Sequence, residues 1–250
     1  MAEISRFEGY DIFKYKFAAK FVPNKRVLDI GCGYGNGTQL LAESNAKEVI
    51  GIDYSEAALK EAGKKNLPNL SFIQRDIQNL GSFKDNFDAV VFFEVIEHLS
   101  SREQKEILKN IDKILNKKGC LIITTNNKAL SSYNPYHKNE LTAREFKELI
   151  GNFFDAEFFG IKHKYPPEFK KEGFKNKFIN FICRSKIVQT DLIALLPRKF
   201  KEFINYKFLK LTPMTEADFI IQDDIDNCES FLAVCKKSEV DYGSHQEKNP

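Results

Sequence analysis

Short apolar runs alternate along this chain with longer segments whose apolar residues recur at helical spacing. Each run is rich in β-branched or aromatic residues and predicts a β-strand. The predicted strands lie at residues 26–30, 48–53, 70–74, 87–93, 119–124, 156–162 and 231–235. Strands that alternate with helices form mainly parallel sheets with helices on both faces. The pattern therefore predicts a doubly wound α/β fold with a mainly parallel, seven-stranded sheet.

Capping residues and apolar periodicity mark the helices between these strands. Residues 10–22 form a predicted helix before the first strand, and residues 102–115 place five apolar side chains at helical spacing. Ser55 can cap a short helix that ends at Gly63, and Thr142 opens another helix with a capping box. These signals agree with the alternation of strands and helices.

Charge is distributed unevenly along the chain. The 250 residues carry a formal net charge of +3, which gives no overall signature of nucleic-acid binding. Between residues 162 and 210, however, 13 Lys and Arg residues stand against 4 Asp and Glu residues. We interpret residues 164–228 as a helical, basic insertion or substrate lid before the last strand. The main domain is then predicted at residues 1–163 and 229–237, with a disordered polar tail at 238–250.

The first strand runs into three glycines at alternate positions, in the sequence Asp29-Ile30-Gly31-Cys32-Gly33-Tyr34-Gly35. Glycine allows positive φ and leaves no Cβ between the backbone and a ligand, so a cofactor can lie against this turn. A dinucleotide site has the spacing G-x-G-x-x-G, whereas the pattern here is D-x-G-x-G-x-G. Asp29 would repel a pyrophosphate, but it can pair with the ammonium group of an amino acid, directly or through water. The spacing therefore favours S-adenosylmethionine over NAD.

Acidic residues also follow the next three predicted strands. Asp53 ends the second strand, where a ribose-binding carboxylate is expected, Asp76 follows the third and Glu94 follows the fourth. In an open α/β sheet, ligands bind beyond the carboxyl ends of the strands at the topological switch point. We therefore expect these side chains and the Gly31 loop to surround one crevice.

These motifs, in this order, resemble those of the class I S-adenosylmethionine-dependent methyltransferases. The resemblance implies that Asp29 and the glycines hold the methionine part of the cofactor, Asp53 the ribose hydroxyls, and Asp76 with Ile77 the adenine. For Tyr15, packing on the sheet and contact with the cofactor are both open. The full set of expected cofactor-binding residues is Tyr15, Asp29, Gly31, Cys32, Gly33, Gly35, Asp53, Tyr54, Asp76, Ile77, Phe93 and Glu94.

Candidate catalytic groups follow the fourth and fifth strands. Glu94, Glu97 and His98 would share one face of a helical turn, and His137 comes after the fifth strand. A hydroxyl acceptor is a poor nucleophile unless a base or a metal ion helps to remove its proton. Two carboxylates and two imidazoles would suit Mg²⁺ or Mn²⁺. The set is similar to the metal site of small-RNA 2′-O-methyltransferases and, in part, to ubiquinone-pathway O-methyltransferases.

Three interpretations of these groups remain open. In the first, Glu94, Glu97, His98 and His137 bind a divalent metal ion. In the second, His98 or His137 is a general base, and His98, His137 and Glu97 are the catalytic residues. In the third, the Glu-His pair only orients its loop by hydrogen bonds, as in class I methyltransferases that use no metal.

Residues 5–162 are most similar to bacterial methyltransferases associated with polysaccharide and glycan biosynthesis. The similarity rests on the helix before the glycine loop and on the segments around Glu94 and His137; Lys14 replaces a usual arginine and Asn126 a usual proline. It implies O-methylation of a sugar or glycan precursor, phosphorylated or nucleotide-linked, or of another small molecule. One alternative is metal-dependent 2′-O-methylation of the 3′-terminal ribose of RNA. Another is a cofactor-binding regulatory subunit without turnover.

The remaining composition favours a cytoplasmic protein. The five cysteines form no C-x-x-C pair and are odd in number, which indicates neither a disulfide framework nor a zinc ribbon. The chain has no signal-type N-terminus and no apolar run long enough for a membrane span. Peripheral contact with a membrane stays open because Lys and Phe alternate in the basic segment. Nucleic acid is the less favoured partner because no RNA-binding module is visible.

Overall fold

One mixed sheet organises the chain in the computed structural model, which describes residues 9–83, 86–131, 134–163 and 216–237. Within these residues the sheet has eight strands in the order β3-β2-β1-β4-β5-β8-β6-β7. The strands are β1 (Arg26–Ile30), β2 (Glu48–Asp53), β3 (Leu70–Gln74), β4 (Phe87–Phe93), β5 (Leu115–Asn126), β6 (Phe154–His163), β7 (Phe219–Gln222) and β8 (Ser230–Lys237).

Helices connect the strands of the first half of the sheet. The α-helices are α1 (Gly9–Ala18), α2 (Asn36–Glu43), α3 (Glu56–Ala62), α4 (Ser101–Ile114) and α5 (Ala143–Gly151). Short 3₁₀ helices lie at Ala19–Phe21, Ile77–Ser82, Ile96–His98 and Glu216–Asp218. No helix of the described residues has the length and apolarity needed to cross a bilayer.

The sheet has its topological switch point between β1 and β4. Strand β1 pairs in parallel with β2 on one side and with β4 on the other, and β5 continues the parallel set beyond β4. Strand β8 then runs antiparallel to both β5 and β6, and β7 is an antiparallel edge strand on β6. The loops after β1, β2, β4 and β5 therefore leave the same edge of the sheet, at the point where ligands bind in this architecture.

Apolar side chains fill both faces of the sheet. Along β1, Val27 packs with α1 and α2 on one face, whereas Leu28 and Ile30 pack with α4 and α5 on the other. Because β4 is flanked on both faces, all but one of its residues are buried. The doubly wound α/β fold expected from the sequence is confirmed.

The first four predicted strands have the bounds that the sequence indicated, and the later ones are longer. Strand β5 starts at Leu115, so the prediction of a strand start at 119 is wrong, and a register shift separates this start from the main pairing. The sheet has eight strands rather than seven because β7 adds an edge strand. This strand falls within the predicted insertion at 164–228, whose residues 164–215 lie outside the described residues, as does the predicted tail.

Helix caps give a direct test of the local structure. Ser100 forms a capping box on α4, because its hydroxyl accepts the amide of Glu103 and the Glu103 carboxylate accepts the amide of Ser100. We expect Ser100→Ala to lower the free energy of unfolding by about 1 kcal/mol in urea titrations. Ser101→Ala, one residue further on, removes no cap and should stay within about 0.5 kcal/mol of the parent protein. Equal effects of the two variants would contradict the assignment.

Candidate functional site

The loop between β1 and α2 combines tight packing with one open position. Gly33 and Gly35 have positive φ angles of 51° and 72°. A Cβ on Gly35 would lie 2.5 Å from the ring of Phe72, so packing excludes a side chain there. A Cβ on Gly33 would have no described atom within 4 Å. The loop therefore borders open space at Gly33, as a ligand cradle requires.

Asp53 lies beside this loop at the end of β2. Its Oδ2 accepts the amide of Gly33 at 2.9 Å, and its Oδ1 accepts the amide of Ser55 at 2.9 Å. Each oxygen keeps acceptor capacity beyond these bonds. The two amides hold the carboxylate next to the open position at Gly33, where it is available to hydroxyl groups of a ligand.

Exposed side chains border the same edge beyond Asp53. Tyr54 is 80% exposed, and Ile73 at the end of β3 is 36% exposed. Asp76 is also exposed, and its Oδ1 accepts the amide of Gln78 at 2.9 Å, which caps the 3₁₀ helix that begins at Ile77. The half-buried Ile77 packs against the core. Apolar surface and one carboxylate are thus presented together at this end of the sheet.

Asp29 is wholly buried and bonded to protein hydroxyls. The Tyr15 hydroxyl donates to the carboxyl oxygens at 3.1 and 3.2 Å, and the Thr38 hydroxyl donates to Oδ2 at 2.7 Å. Burial raises the pKa of Asp29 to about 7, although both hydrogen bonds lower it. A direct pairing of Asp29 with a cofactor ammonium group stays a prediction. The observed contacts favour the indirect role, because both carboxyl oxygens already accept hydrogen bonds.

Tyr15, Phe93 and Cys32 form the packing around Asp29. The rings of Tyr15 and Phe93 meet edge to face with centroids 5.1 Å apart, and both side chains belong to the core on the α1 and α2 face of the sheet. Burial raises the pKa of the Cys32 thiol well above its usual range, so the thiol is neutral. The observed contacts of Tyr15 are those of packing on the sheet, and its contact with the cofactor stays a prediction.

Glu94, the first residue after β4, has a left-handed backbone with φ of 52°. It is therefore not part of a helical turn, and the expectation that Glu94, Glu97 and His98 share one helical face is wrong, because the 3₁₀ helix begins only at Ile96. The Glu94 Oε1 accepts the hydroxyl of Thr124 at 2.8 Å and lies 3.4 Å from the Lys14 ammonium nitrogen.

Lys14 is a buried cation at 1% exposure. Besides Glu94, its ammonium group contacts Asp11 Oδ1 at 3.2 Å and lies 4.1 Å from the centroid of the Tyr10 ring. A buried ammonium group is costly unless it is paired. The two carboxylates and the aromatic face supply that pairing, so Lys14 compensates the negative charge of Glu94.

Glu97 is buried at 1% exposure beneath the end of β5. Its Oε2 accepts the hydroxyl of Thr125 at 3.1 Å and its Oε1 accepts the side-chain amide of Asn126 at 3.3 Å. Burial, and then the neighbouring Glu94 carboxylate, raise the pKa of Glu97 to about 8. Glu97 is therefore protonated at neutral pH, and Glu94 is the neighbouring acceptor for its proton.

His98 and His137 meet edge to face, with ring centroids 4.8 Å apart. The Nδ1 of His98 lies 3.1 Å from the backbone oxygen of Tyr136. A carbonyl oxygen only accepts, so Nδ1 carries the proton and Nε2 is left as an acceptor. Within the described part of the chain, Nε2 has no hydrogen-bond partner.

Both ring nitrogens of His137, in contrast, are occupied. Nδ1 donates to Glu140 Oε1 at 2.5 Å, and Nε2 lies 2.9 Å from the side-chain nitrogen of Asn134. The Asn134 amide is oriented by its Oδ1, which accepts the amide of Tyr136 at 3.0 Å, so its nitrogen donates to His137. These two contacts hold the His137 ring in a fixed orientation.

The predicted metal ligands come together only in part. Ligand atoms of Glu97, His98 and His137 lie within 4.8 Å of one another, but Glu94 is not in this group. Within the group, both carboxyl oxygens of Glu97 accept from side chains, and both ring nitrogens of His137 are in hydrogen bonds. A divalent ion would need deprotonated ligands and would have to displace Asn134. The donors in their present hydrogen bonds do not fit a metal ion.

The two histidine loops are clamped together through backbone groups. The amides of Lys138 and Asn139 donate to the Glu97 carbonyl at 2.9 and 3.1 Å. Gln104 of α4, buried at 1% exposure, donates to the carbonyls of Ile96 and Asn139 at 2.9 and 2.8 Å. Its own Oε1 accepts the side-chain amide of Asn139. One buried glutamine thus joins the loop after β4 to the loop after β5.

Several contacts of this site were not expected from the sequence. Thr38, Gln104 and Glu140 each bond to a site residue or its loop. For Gln104 the apolar periodicity of α4 was a usable signal, because Ile107, Leu108 and Ile111 share its buried face. Glu140 lies three residues after His137, as Asn134 lies three before it. Thr38 had no comparable signal in the sequence.

A family model and several known proteins are similar to the chain. Residues 21–173 match the model of a methyltransferase domain. A probable S-adenosylmethionine-dependent methyltransferase of Mycobacterium tuberculosis is 32% identical over 145 residues, which cover 55% of this chain and 52% of that protein. A ubiquinone biosynthesis O-methyltransferase of Pelagibacter ubique is 32% identical over 124 residues, covering 48% of this chain and 50% of that protein. The chain spans about half the length of these curated relatives.

Among solved structures, a SAM-dependent methyltransferase from Archaeoglobus fulgidus has the same fold. The two superpose with a TM-score of 0.57 at 22% sequence identity, over 91% of this chain and 94% of the other. The likeness therefore extends beyond the residues matched by the family model and covers most of the sheet.

The raised pKa of Glu97 predicts a pH effect on stability. The ordinary pKa is 4.5 and the folded-state value is about 8, so the native state binds the proton more tightly than the unfolded state. The contribution of Glu97 to the free energy of unfolding therefore falls as the pH rises from about 4.5 to about 8. Glu97→Gln removes that dependence.

The measurement is urea unfolding of the parent protein and Glu97→Gln between pH 5 and 8.5. Relative to the parent, the variant should gain stability with pH by up to about 1.4 kcal/mol per pH unit. Glu157→Gln, at an exposed residue of β6, is the matched control and should give a difference that does not change with pH. A constant difference for Glu97→Gln as well would contradict the raised pKa.

Proposed function

The chain belongs to the methyltransferase-domain family, and on that premise we propose that it transfers the methyl group of S-adenosylmethionine to an oxygen atom of a small molecule, a sugar or glycan precursor. The observation that carries this proposal is the open position at Gly33 beside Asp53, at the switch point of the sheet. The curated relatives are named as S-adenosylmethionine-dependent or O-methyltransferases, which agrees with it.

The residues around the glycine loop fit this cofactor. A ligand backbone can approach Gly33 without a clash, Asp53 can accept ribose hydroxyls, and Tyr54 and Ile77 offer apolar surface to a base. Asp76, which directly precedes Ile77, is the carboxylate that can accept a hydrogen bond from the adenine amino group. When bound, S-adenosylmethionine supplies a methyl group on a positively charged sulfur. The carboxylates of Asp53 and Glu94 suit such a cation.

His98 is the proposed general base. The Tyr136 carbonyl holds the proton on Nδ1, which leaves Nε2 to accept the proton of an acceptor hydroxyl. The same carbonyl stabilises the imidazolium that results, because it keeps its hydrogen bond from Nδ1. A positioned base of this kind contributes roughly 10²–10⁴-fold to proton transfer. A hydroxyl acceptor needs such a base, and the presence of one is the reason that we propose oxygen as the methylated atom.

Glu97 and His137 are positioning residues in this proposal. The Glu97 carbonyl binds two amides of the loop after β5, and its side chain is neutral and buried. His137 packs its ring against His98 while Asn134 and Glu140 hold it. Together they keep the imidazole of His98 from rotating.

A sugar or glycan precursor is the acceptor that the sequence motifs favour. The segments around Glu94 and His137 are similar to those of polysaccharide-associated methyltransferases. The polar residue Asn134 contacts His137, and Asn126 bonds to Glu97. The basic segment at 162–210 would attract a phosphorylated or nucleotide-linked form. That segment lies outside the described residues apart from its first two positions.

The second candidate function is metal-dependent methylation of the 3′-terminal ribose of RNA. It is favoured by the group formed by Glu97, His98 and His137, whose ligand atoms lie within 4.8 Å of one another. It requires release of Asn134 from His137 and loss of the proton on Glu97. The experiments below separate the two candidates.

Cofactor binding tests the first step of the proposal. Gly33→Ala puts a methyl group into space that no described atom occupies, so we expect at least tenfold weaker binding of S-adenosylhomocysteine by calorimetry. The left-handed backbone should cost about 1 kcal/mol of stability. Asn45→Ala, at a φ of 61° on the exposed surface, carries a smaller backbone cost of the same kind and should bind normally. Folded parent protein that binds neither cofactor form would refute the methyltransferase proposal.

Activity tests the base. Transfer of a radiolabelled methyl group to a panel of nucleotide-linked sugars should fall roughly 10²–10⁴-fold in His98→Gln, with unchanged affinity for S-adenosylhomocysteine. His137→Gln removes a positioning contact and should lose less. The parent should keep its activity in EDTA. Activity that EDTA abolishes and Mg²⁺ restores, on RNA 3′ ends rather than sugars, would favour the second candidate.

A further inference from the structure

The segment from Asn134 to Glu140 is a rigid platform beside the two histidines. It begins with a turn in which the amide of His137 donates to the carbonyl of Asn134 at 3.1 Å, and Pro135 fixes the second position of that turn. The Asn134 side chain accepts the amide of Tyr136 at 3.0 Å. Backbone freedom in this turn is therefore small.

The platform is also fixed to the rest of the site. Its amides at Lys138 and Asn139 bind the Glu97 carbonyl, and Gln104 binds the Asn139 backbone and side chain. At its other end, Glu140 accepts the hydroxyl of Ser131. The polar side chains of the platform are thus used to hold it in place.

Tyr136 is the exception among these side chains. Its ring is 75% exposed, one of the large apolar groups left open on the described surface. In the described part of the chain the ring has no aromatic contact and its hydroxyl has no hydrogen bond. Only its backbone takes part in the site, through the carbonyl that binds His98 Nδ1 at 3.1 Å. A rigid backbone holds an uncovered aromatic ring one residue from His137.

We propose that Tyr136 is an acceptor-binding residue, which stacks its ring on the apolar face of a sugar ring whose hydroxyl faces His98. This inference rests on the proposed function and adds to it the residue that recognises the acceptor. The amphipathic ring of tyrosine suits such a ligand, because its face covers C–H groups while its edge stays in water. Holding the backbone of Tyr136 in a fixed turn before binding lowers the entropy cost of stacking.

The turn explains how Tyr136 can both orient His98 and bind the acceptor. Its carbonyl oxygen sets the tautomer of the base, and its side chain leaves the same α-carbon toward solvent. A sugar ring that stacks on Tyr136 is therefore placed beside the loop that carries His98. Transfer of a methyl group from sulfur to oxygen requires such positioning, since the acceptor oxygen must approach the methyl carbon within about 3.5 Å.

The test uses saturation-transfer NMR on the full chain with S-adenosylhomocysteine present. The probes are methyl α-D-glucopyranoside, catechol and the acyclic polyol sorbitol, each at millimolar concentration. The proteins are the parent, Tyr136→Phe, Tyr136→Ala and Leu130→Ala, the last being a matched loss of another exposed apolar side chain on the loop after β5. We expect saturation of the pyranoside C–H protons in the parent, Tyr136→Phe and Leu130→Ala.

In Tyr136→Ala the affinity for the pyranoside should fall roughly tenfold, as expected for the loss of one aromatic contact. Affinity for S-adenosylhomocysteine should stay unchanged in all four proteins, and sorbitol should bind weakly to each. Rescue by phenylalanine separates stacking from a structural effect. An equal pyranoside signal in Tyr136→Ala would overturn the inference, and so would a preference for catechol. Failure of the parent to bind S-adenosylhomocysteine would instead refute the proposed function.

Discussion

The buried carboxyl group of Asp29 is the contact on which the geometry of the glycine loop depends. A carboxyl group without solvent must be hydrogen-bonded to be tolerated, and the hydroxyls of Tyr15 and Thr38 meet that need. Tyr15 belongs to α1 and Thr38 to α2, so one carboxyl group ties both helices to β1. Because α2 begins directly after Gly35, this tie also fixes where the loop opens at Gly33.

A second constraint lies at the end of β4, where strain and buried charge coincide. Glu94 has a left-handed backbone, which costs a non-glycine residue roughly 1–2 kcal/mol. Buried Lys14 compensates its charge, and Glu97 avoids a further charge by keeping a proton. Costs of this kind accumulate at functional sites and are rarely retained elsewhere. They therefore support the proposal that the chemistry takes place at this loop.

The sequence predicted the bounds of β1, β2 and β4, which are almost wholly buried, and also those of β3, a half-exposed edge strand. The bounds of β1 to β4 follow from their apolar runs, whereas β7 is a four-residue edge strand that its neighbour β6 defines. At the site, residue types were predictable but their partners were not. Asp29 was expected to face a ligand, yet a hydroxyl nine residues away and another fourteen residues before it bind its oxygens. Such tertiary partners leave no periodic trace in a single sequence.

The proposed function assigns cofactor binding and acceptor chemistry to different loops, and the two loops are held by different means. The glycine loop is anchored by backbone bonds from Gly31 and Cys32 to Ile52, so it is part of the sheet itself. The loops of His98 and Tyr136 are held to each other by carbonyl groups and one buried glutamine. Because Tyr136 joins this clamp only through its main-chain atoms, its exposed side chain can change without moving the base. In the proposed reaction, acceptor choice is therefore separable from proton removal within a single turn.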